Sequence, residues 1–168
     1  MTLMDDVQGR DSRGVSRIPP PTDADPSNRQ LRLGAKAWLQ ESGRVLLVKE
    51  RRLDGSTFWT LPGGGIRSDE SIREALQREL MEELRISSSV GSILTSCLYE
   101  HESLGNIVSK YFVINCEFDG KPNPNPKEGI MEYCWAWSED VPQSTLDPFQ
   151  RLIEKRNFLL TEDTETVR

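Results

Sequence analysis

Residues Gly63 to Ile86 have the sequence GGGIRSDESIREALQRELMEELRI, and this segment carries most of the information about the fold. Glycines permit unusual backbone angles and close ligand approach, so the three at its start predict a loop after the short strand 58–61. Ser71 and Glu74 have the spacing of a capping box, which predicts a helix start. From there apolar residues recur at helical spacing, namely Ile72, Ala75, Leu76 and Leu80. The segment therefore predicts a strand, a glycine loop and a helix that ends between Arg85 and Ser89.

Three acidic residues stand out within this helix. Glu79, Glu82 and Glu83 are separated by three and four positions, which puts their carboxylates on one face within a single turn. Like charges this close repel one another, so a compensating cation is expected. Oxygen-only ligands select Mg²⁺, with Mn²⁺ as an alternative, and Mg²⁺ commonly bridges to substrate phosphates. The competing interpretation is a solvated acidic helix face, but the glycine entry and the fixed spacing favour a metal site.

The spacing matches a known signature. Gly64 is followed after five residues by Glu70 and after seven more by Arg78-Glu79-Leu80-Met81-Glu82-Glu83-Leu84-Arg85-Ile86. This segment resembles the Nudix box, and the flanking strands resemble Nudix hydrolases over roughly residues 30–160. The one departure from the box is Arg85, which replaces a glycine suited to a left-handed helix end. In the loop, Arg67 and Asp69 also differ from many members, and we interpret them as adjustments to the loop or to substrate contacts.

The resemblance implies roles for individual residues. Glu79, Glu82 and Glu83 would bind the metal ions, and one of them would act as the base in some members. The backbone carbonyl of Gly63 would be an additional ligand. Gly64, Glu70 and Arg78 would be structural, with Arg78 pairing with Glu70 to hold the loop against the helix.

A further glutamate is expected in a downstream loop. The segment Lys127-Glu128-Gly129 resembles the place where MutT-type members carry another acidic residue. Glu128 is therefore a candidate metal ligand or base, with Glu132 as the second choice. The alternative for Glu128 is an ordinary loop carboxylate, and the residues alone leave both open.

The elements on either side of this segment complete one domain. Residues 31–39 and 44–49 predict a hairpin, 93–99, 108–118 and 131–137 predict strands, and 146–160 predict a closing amphipathic helix. These elements predict an α/β (α+β) fold with a mixed sheet sandwiched between helices, the Nudix fold by resemblance. Residues 1–29 and 161–168 are polar and predict tails on either side of a domain at 30–160.

The composition of the chain limits the classes of protein to which it can belong. The formal net charge of −6 argues against binding to nucleic acid through phosphate neutralisation. Cys97, Cys116 and Cys134 lie in apolar runs without a CxxC pair, which predicts buried free thiols. The single histidine, His101, has no nucleophile motif nearby and predicts a loop or strand end. No segment predicts a membrane span or a signal-peptide core, and we expect a cytoplasmic protein.

The sequence thus predicts a Mg²⁺-dependent hydrolase that cleaves a diphosphate linkage in a nucleotide derivative, with a nucleoside triphosphate as the default substrate. The expected partner is a small-molecule nucleotide, and a homodimer is one alternative for the assembly. A competing hypothesis is a Nudix-fold module that senses a nucleotide without hydrolysing it, since fold alone does not guarantee function. A third is an RNA decapping enzyme, against which the acidic balance counts.

Overall fold

A computed structural model describes the backbone of residues 29–101 and 106–165 and the side chains of residues 29–101 and 106–156. The predicted N-terminal tail lies outside these residues, apart from Arg29. The described residues form seven strands and two α-helices, in chain order β1 Gln30–Glu41, β2 Arg44–Arg51, β3 Thr57–Thr60, β4 Gly63–Gly65, α1 Ile72–Leu84, β5 Ser87–Glu100, β6 Ile107–Asp119, β7 Ile130–Ala136 and α2 Asp147–Glu165.

The strands form one mixed sheet arranged around β1. The order is β3-β2-β1-β6-β5, with β4 paired to β1 and β7 paired to β2. Residues Gln30 to Leu39 of β1 run parallel to β6, while Gln40 and Glu41 pair antiparallel with β2. A single strand therefore joins the two halves of the sheet.

The helices cover opposite faces of this sheet. Alternate residues of a strand point to opposite faces, and β1 supplies both cores. One core packs α1 against the sheet and includes Ala35, Ala37, Leu39, Leu76, Leu80 and Leu84. The other packs α2 against the sheet and includes Trp38, Leu47, Leu61, Phe149 and Ile153. The predicted mixed sheet between helices is confirmed.

Several boundaries differ from the sequence prediction. The glycines predicted as a loop form β4, because Gly63 and Gly64 can lie flat against β1. The serines expected after the first helix belong to β5, where Ser87 to Ser89 pair with the end of β6. The helix α2 continues to Glu165 instead of ending at Leu160, since no glycine or proline follows Pro148 to stop it. The spacing of apolar residues in this helix also predicts a core position for Phe158, which lies outside the described side chains.

Two smaller predictions concern the strands. Cys97, Cys116 and Cys134 lie in β5, β6 and β7 as free thiols, with Cys116 buried and the others half-buried. His101 directly follows β5, and its Nε2 lies 2.7 Å from Ser109 Oγ. None of the helices in the described part of the chain is both long and apolar enough to cross a bilayer.

Candidate active site

The glycine strand β4 is the floor of the candidate site. Gly63 pairs with Lys36 and Gly64 pairs with Ala35 of β1. Gly63 has a φ of +125°, a conformation that favours glycine, and a Cβ there would overlap the Ala35 carbonyl oxygen. This position therefore requires glycine both for its backbone angle and for the close approach of β4 to β1.

The helix α1 begins and ends where its sequence indicates. Ser71 accepts a hydrogen bond from the Glu74 backbone N–H at 3.2 Å, and the Glu74 carboxylate accepts one from the Ser71 N–H at 2.8 Å. This reciprocal capping box confirms the predicted start. The helix ends at Leu84, and Arg85 adopts the left-handed conformation with φ +54°. Arg85 thus occupies the backbone conformation for which the box normally supplies a glycine.

Gly64 and Glu79 are in direct contact across β4 and α1. A Cβ at Gly64 would lie 2.7 Å from the Glu79 Cδ atom and less than 3 Å from both carboxylate oxygens. The Glu79 carboxylate therefore occupies the space that any larger residue at position 64 would fill.

Arg78 connects the loop before the helix to the carboxylates on it. Its guanidinium donates to Glu70 at 2.6 and 3.0 Å and to the Gly65 carbonyl at 3.1 Å. It also donates to Glu79 at 2.7 Å and to Glu82 at 3.1 Å. Hydrogen bonding to Arg78 lowers the pKa of Glu70 to about 2. The predicted pair of Arg78 and Glu70 is thus present, and the same side chain balances two acidic residues of the box.

Glu83 lies on the inner side of the cluster. The residue is only 7% exposed, and its Oε2 accepts a hydrogen bond from the Gly63 N–H at 2.9 Å. Burial raises the pKa of Glu83 well above its ordinary value, and the charges of Glu79 and Glu50 act in the same direction. A buried carboxylate of this kind needs a cation beside it.

Two residues that sequence reasoning missed complete the inner side. Lys36, 4% exposed, donates from Nζ to the Gly63 carbonyl at 2.9 Å. Burial raises the pKa of the partly buried Glu50 on β2, although Lys36 opposes this change. Lys36 could have been suspected, because it shares a strand face with Trp38, two residues on, and that face is buried. Glu50 carries no such signal, since it stands at the polar end of its strand.

The structure separates the two downstream candidates. Glu128 ends a 3-10 turn, Pro126–Glu128, whose preceding Asn125 is bonded to the α1 carbonyls of Glu82 and Glu83 at 2.9 Å. On its other side, Gly129 accepts a hydrogen bond from the Arg51 N–H. Glu128 is therefore held between α1 and the end of β2.

Glu132, by contrast, pairs with Lys49 at 3.3 Å and its side chain is 59% exposed. It lies on β7 opposite Lys49, so it does not join the cluster at β4. This placement argues against Glu132, and Glu128 stays a candidate for the additional acidic group.

The donor set suits a hard divalent cation. It consists of the carboxylates of Glu79, Glu82 and Glu83 and the Gly63 carbonyl, which are all oxygen donors of the kind that Mg²⁺ and Mn²⁺ accept. In the described residues no three acidic, histidine or cysteine side chains converge on one point, however. The carboxylates are instead turned towards Arg78 and the Gly63 N–H. Metal binding at this site would require Glu79 and Glu82 to share their oxygens with Arg78.

Comparison with known proteins identifies the family. The family model described as the NUDIX domain matches residues 30–156. The chain therefore belongs to the Nudix hydrolases.

Similar proteins agree with this membership. The CTP pyrophosphohydrolase of Escherichia coli (strain K12) is 30% identical over 113 residues, which cover 67% of this chain and 80% of that protein. The RNA pyrophosphohydrolase of Brucella ovis is 28% identical over 137 residues, which cover 70% of this chain and 76% of that protein.

Solved structures show the same fold. The MutT NUDIX hydrolase from Burkholderia pseudomallei superposes with a TM-score of 0.64 at 27% identity, covering 75% of this chain and 98% of that one. The MutT protein from Methanosarcina mazei Go1 gives a TM-score of 0.67 at 22% identity, and the match covers 83% of this chain and 98% of that one.

Proposed function

We propose that this chain hydrolyses a diphosphate linkage in a nucleotide derivative, and that the reaction depends on Mg²⁺. The observation that carries the proposal is the contact of Glu79 with Gly64 and of Glu83 with Gly63 on the glycine strand β4, with Glu82 linked to Glu79 through Arg78. The solvated-face alternative does not account for Glu83, whose carboxylate is buried and bonded to Gly63.

The proposed ligands are the carboxylates of Glu79, Glu82, Glu83 and Glu128 and the carbonyl of Gly63. A bound divalent ion would neutralise phosphate oxygens and lower the pKa of a water molecule. Mn²⁺ is expected to replace Mg²⁺, because it accepts the same oxygen donors.

The protein side chains would position the metal ligands and accept a proton. Arg78 holds the loop through Glu70 and keeps Glu79 and Glu82 on one side of the helix. A glutamate would accept the proton of the attacking water, and the candidates are Glu79, a neighbouring box glutamate and Glu128. Phosphoryl transfer depends mainly on positioning and charge neutralisation, so no covalent intermediate is required.

The substrate is proposed to be a small nucleotide, with a nucleoside triphosphate as the first choice. The 30% identical relative is named for action on CTP, which supports this class. Another relative is named for action on RNA, but the net charge of −6 favours a small substrate over a polynucleotide. The predicted cytoplasmic location and the alternative of a homodimer stay predictions.

The test is phosphate and pyrophosphate release from canonical and oxidised nucleoside triphosphates, nucleotide sugars, dinucleoside polyphosphates, ADP-ribose, NADH and 5′-triphosphorylated RNA. Each substrate is assayed with Mg²⁺, with Mn²⁺ and with EDTA. We expect turnover of a nucleotide with either ion, and a loss of at least about 100-fold in Glu82→Gln, which removes a charged ligand. Glu117→Gln, which neutralises an exposed carboxylate on β6, is the matched control and should keep full activity.

A different result would favour the second candidate function. If a nucleotide binds but none is hydrolysed with either ion, the chain is a nucleotide-sensing module. If only the RNA is hydrolysed, the proposal of a small substrate is wrong although the reaction class stands.

A further inference from the structure

Lys36 is an ammonium group buried inside an acidic cluster. Only 4% of the residue is exposed, and its side chain donates a hydrogen bond from Nζ to the Gly63 carbonyl at 2.9 Å. A buried charge is strongly unfavourable unless opposite charges and hydrogen bonds compensate it. Lys36 must therefore be stabilised by its surroundings.

The surroundings supply this compensation from several directions. Glu50 of β2 and Glu83 and Glu79 of α1 each act electrostatically on Lys36 and favour its charged form. The ring of Tyr111 on β6 lies 5.3 Å from Nζ, at a distance typical of a cation–π contact. Tyr111 can lie there because it packs on Gly34, where a Cβ would approach the ring to 2.6 Å.

Two cations thus act on the acidic cluster, one partly exposed and one buried. Arg78 bonds Glu79 and Glu82 on the outer side. Lys36 lies on the inner side, near Glu50 and Glu83, and bonds the same Gly63 carbonyl that the family resemblance assigns to a metal ion.

We propose that Lys36 is a built-in counter-ion of this cluster, a positioning residue that balances Glu50 and Glu83 and orients the Gly63 carbonyl without a metal ion. Because the charge of Lys36 is fixed in the fold, it limits the additional positive charge that the acidic cluster binds. The metal part of this inference rests on the proposed function, whereas the effect on the metal-free fold does not.

The first test is a double-mutant cycle on unfolding in EDTA. Lys36→Met should lower the thermal midpoint by about 5 °C or more, because it leaves buried carboxylates without their cation. Adding Glu50→Gln to Lys36→Met should recover a clear part of this loss, because one of the uncompensated charges is then removed. If the two changes are simply additive, Lys36 does not act as the counter-ion of Glu50.

The second test is Mn²⁺ binding, measured by calorimetry without substrate. Lys36→Met should bind Mn²⁺ at least about fivefold more tightly than the natural chain, since a repelling charge is gone. Lys36→Arg keeps the positive charge, so it should bind Mn²⁺ with the affinity of the natural chain. This variant is also the one to measure if Lys36→Met does not fold. A Lys36 that merely fills space would lower stability in Lys36→Met without tightening Mn²⁺ binding, and that result overturns the proposal.

The matched control is Lys110→Met. Lys110 lies on β6 with its Nζ 5.5 Å from the Phe112 ring, so it has a similar aromatic contact but is only half-buried. Its Mn²⁺ affinity should stay within about twofold of the natural chain. If the cycle and the Mn²⁺ titration behave as expected while no nucleotide is hydrolysed, the counter-ion role stands and only the enzymatic proposal fails.

Discussion

The carboxylate of Glu79 rests against the α carbon of Gly64, with no room for a side chain between them. Gly64 has an ordinary backbone conformation, so alanine fits the strand and only the Glu79 carboxylate must move. We expect Gly64→Ala to keep the stability of the natural chain within about 1 kcal/mol and to lower kcat by about 10- to 100-fold through misplacement of Glu79.

Gly65→Ala provides a control one residue away. A Cβ at Gly65 has nothing within 4 Å, so this variant should keep both its stability and its kcat. Urea unfolding measures the stability of the two variants, and steady-state kinetics measures their kcat. Equal kcat values would mean that the position of Glu79 is not important for the reaction.

The pair of Glu70 and Arg78 should make stability depend on pH in the acid range. The pKa of Glu70 is lowered to about 2, so its stabilising contribution is complete above the unfolded value near 4.5 and is lost as pH falls towards 2. Glu70→Gln should cost about 2 kcal/mol at neutral pH, because a partly buried guanidinium loses its charged partner.

Urea unfolding between about pH 2 and pH 7 measures this effect. The free-energy difference between the natural chain and Glu70→Gln should shrink as the solution is acidified. A difference that stays constant over this range would show that the ion pair does not produce the stabilisation.

Glu83 should have the opposite pH dependence. Burial raises its pKa, so the folded chain binds more protons than the unfolded chain, and stability is lost as pH rises from about 4.5 through the raised value. In EDTA, Glu83→Gln should therefore be more stable than the natural chain at about pH 8, and the gain should disappear near pH 4.

Glu83→Gln should also have a much lower hydrolytic activity than the natural chain. A glutamine keeps an oxygen that can accept from the Gly63 N–H but lacks the charge of a metal ligand, so activity should fall by about 100-fold or more. Full activity in Glu83→Gln would remove Glu83 from the proposed ligand set.

Arg85 offers a test of local backbone strain. Its φ of +54° is unfavourable for a residue with a Cβ, and its side chain forms long hydrogen bonds to Pro124 and Asn125, at 3.5 and 3.4 Å. Arg85→Gly should raise the free energy of unfolding by about 0.5–1 kcal/mol without changing kcat. Arg85→Ala, which removes the same contacts but keeps the Cβ, should not be more stable than the natural chain.

The sequence was a good guide to the helix and a poorer guide to what faces it. The capping box, the apolar spacing and the left-handed end at Arg85 are local features, so the bounds of α1 could be predicted closely. The strand β4 could not, because glycines favour turns and only the adjacent β1 makes Gly63–Gly65 a strand. Lys36 and Glu50 were missed for a similar reason, since their position beside Glu83 depends on contacts between distant parts of the chain.

The parallel pairing of β1 with β6 has a consequence for how the protein folds. It joins segments far apart in the chain, from Gln30 with Ile107 to Leu39 with Cys116, and such contacts form slowly because long loops must close first. The acidic helix can form early from local contacts, whereas it acquires its inner cation only when β1, which carries Lys36, pairs with β4. Recovery of activity during refolding should therefore lag behind recovery of helical signal.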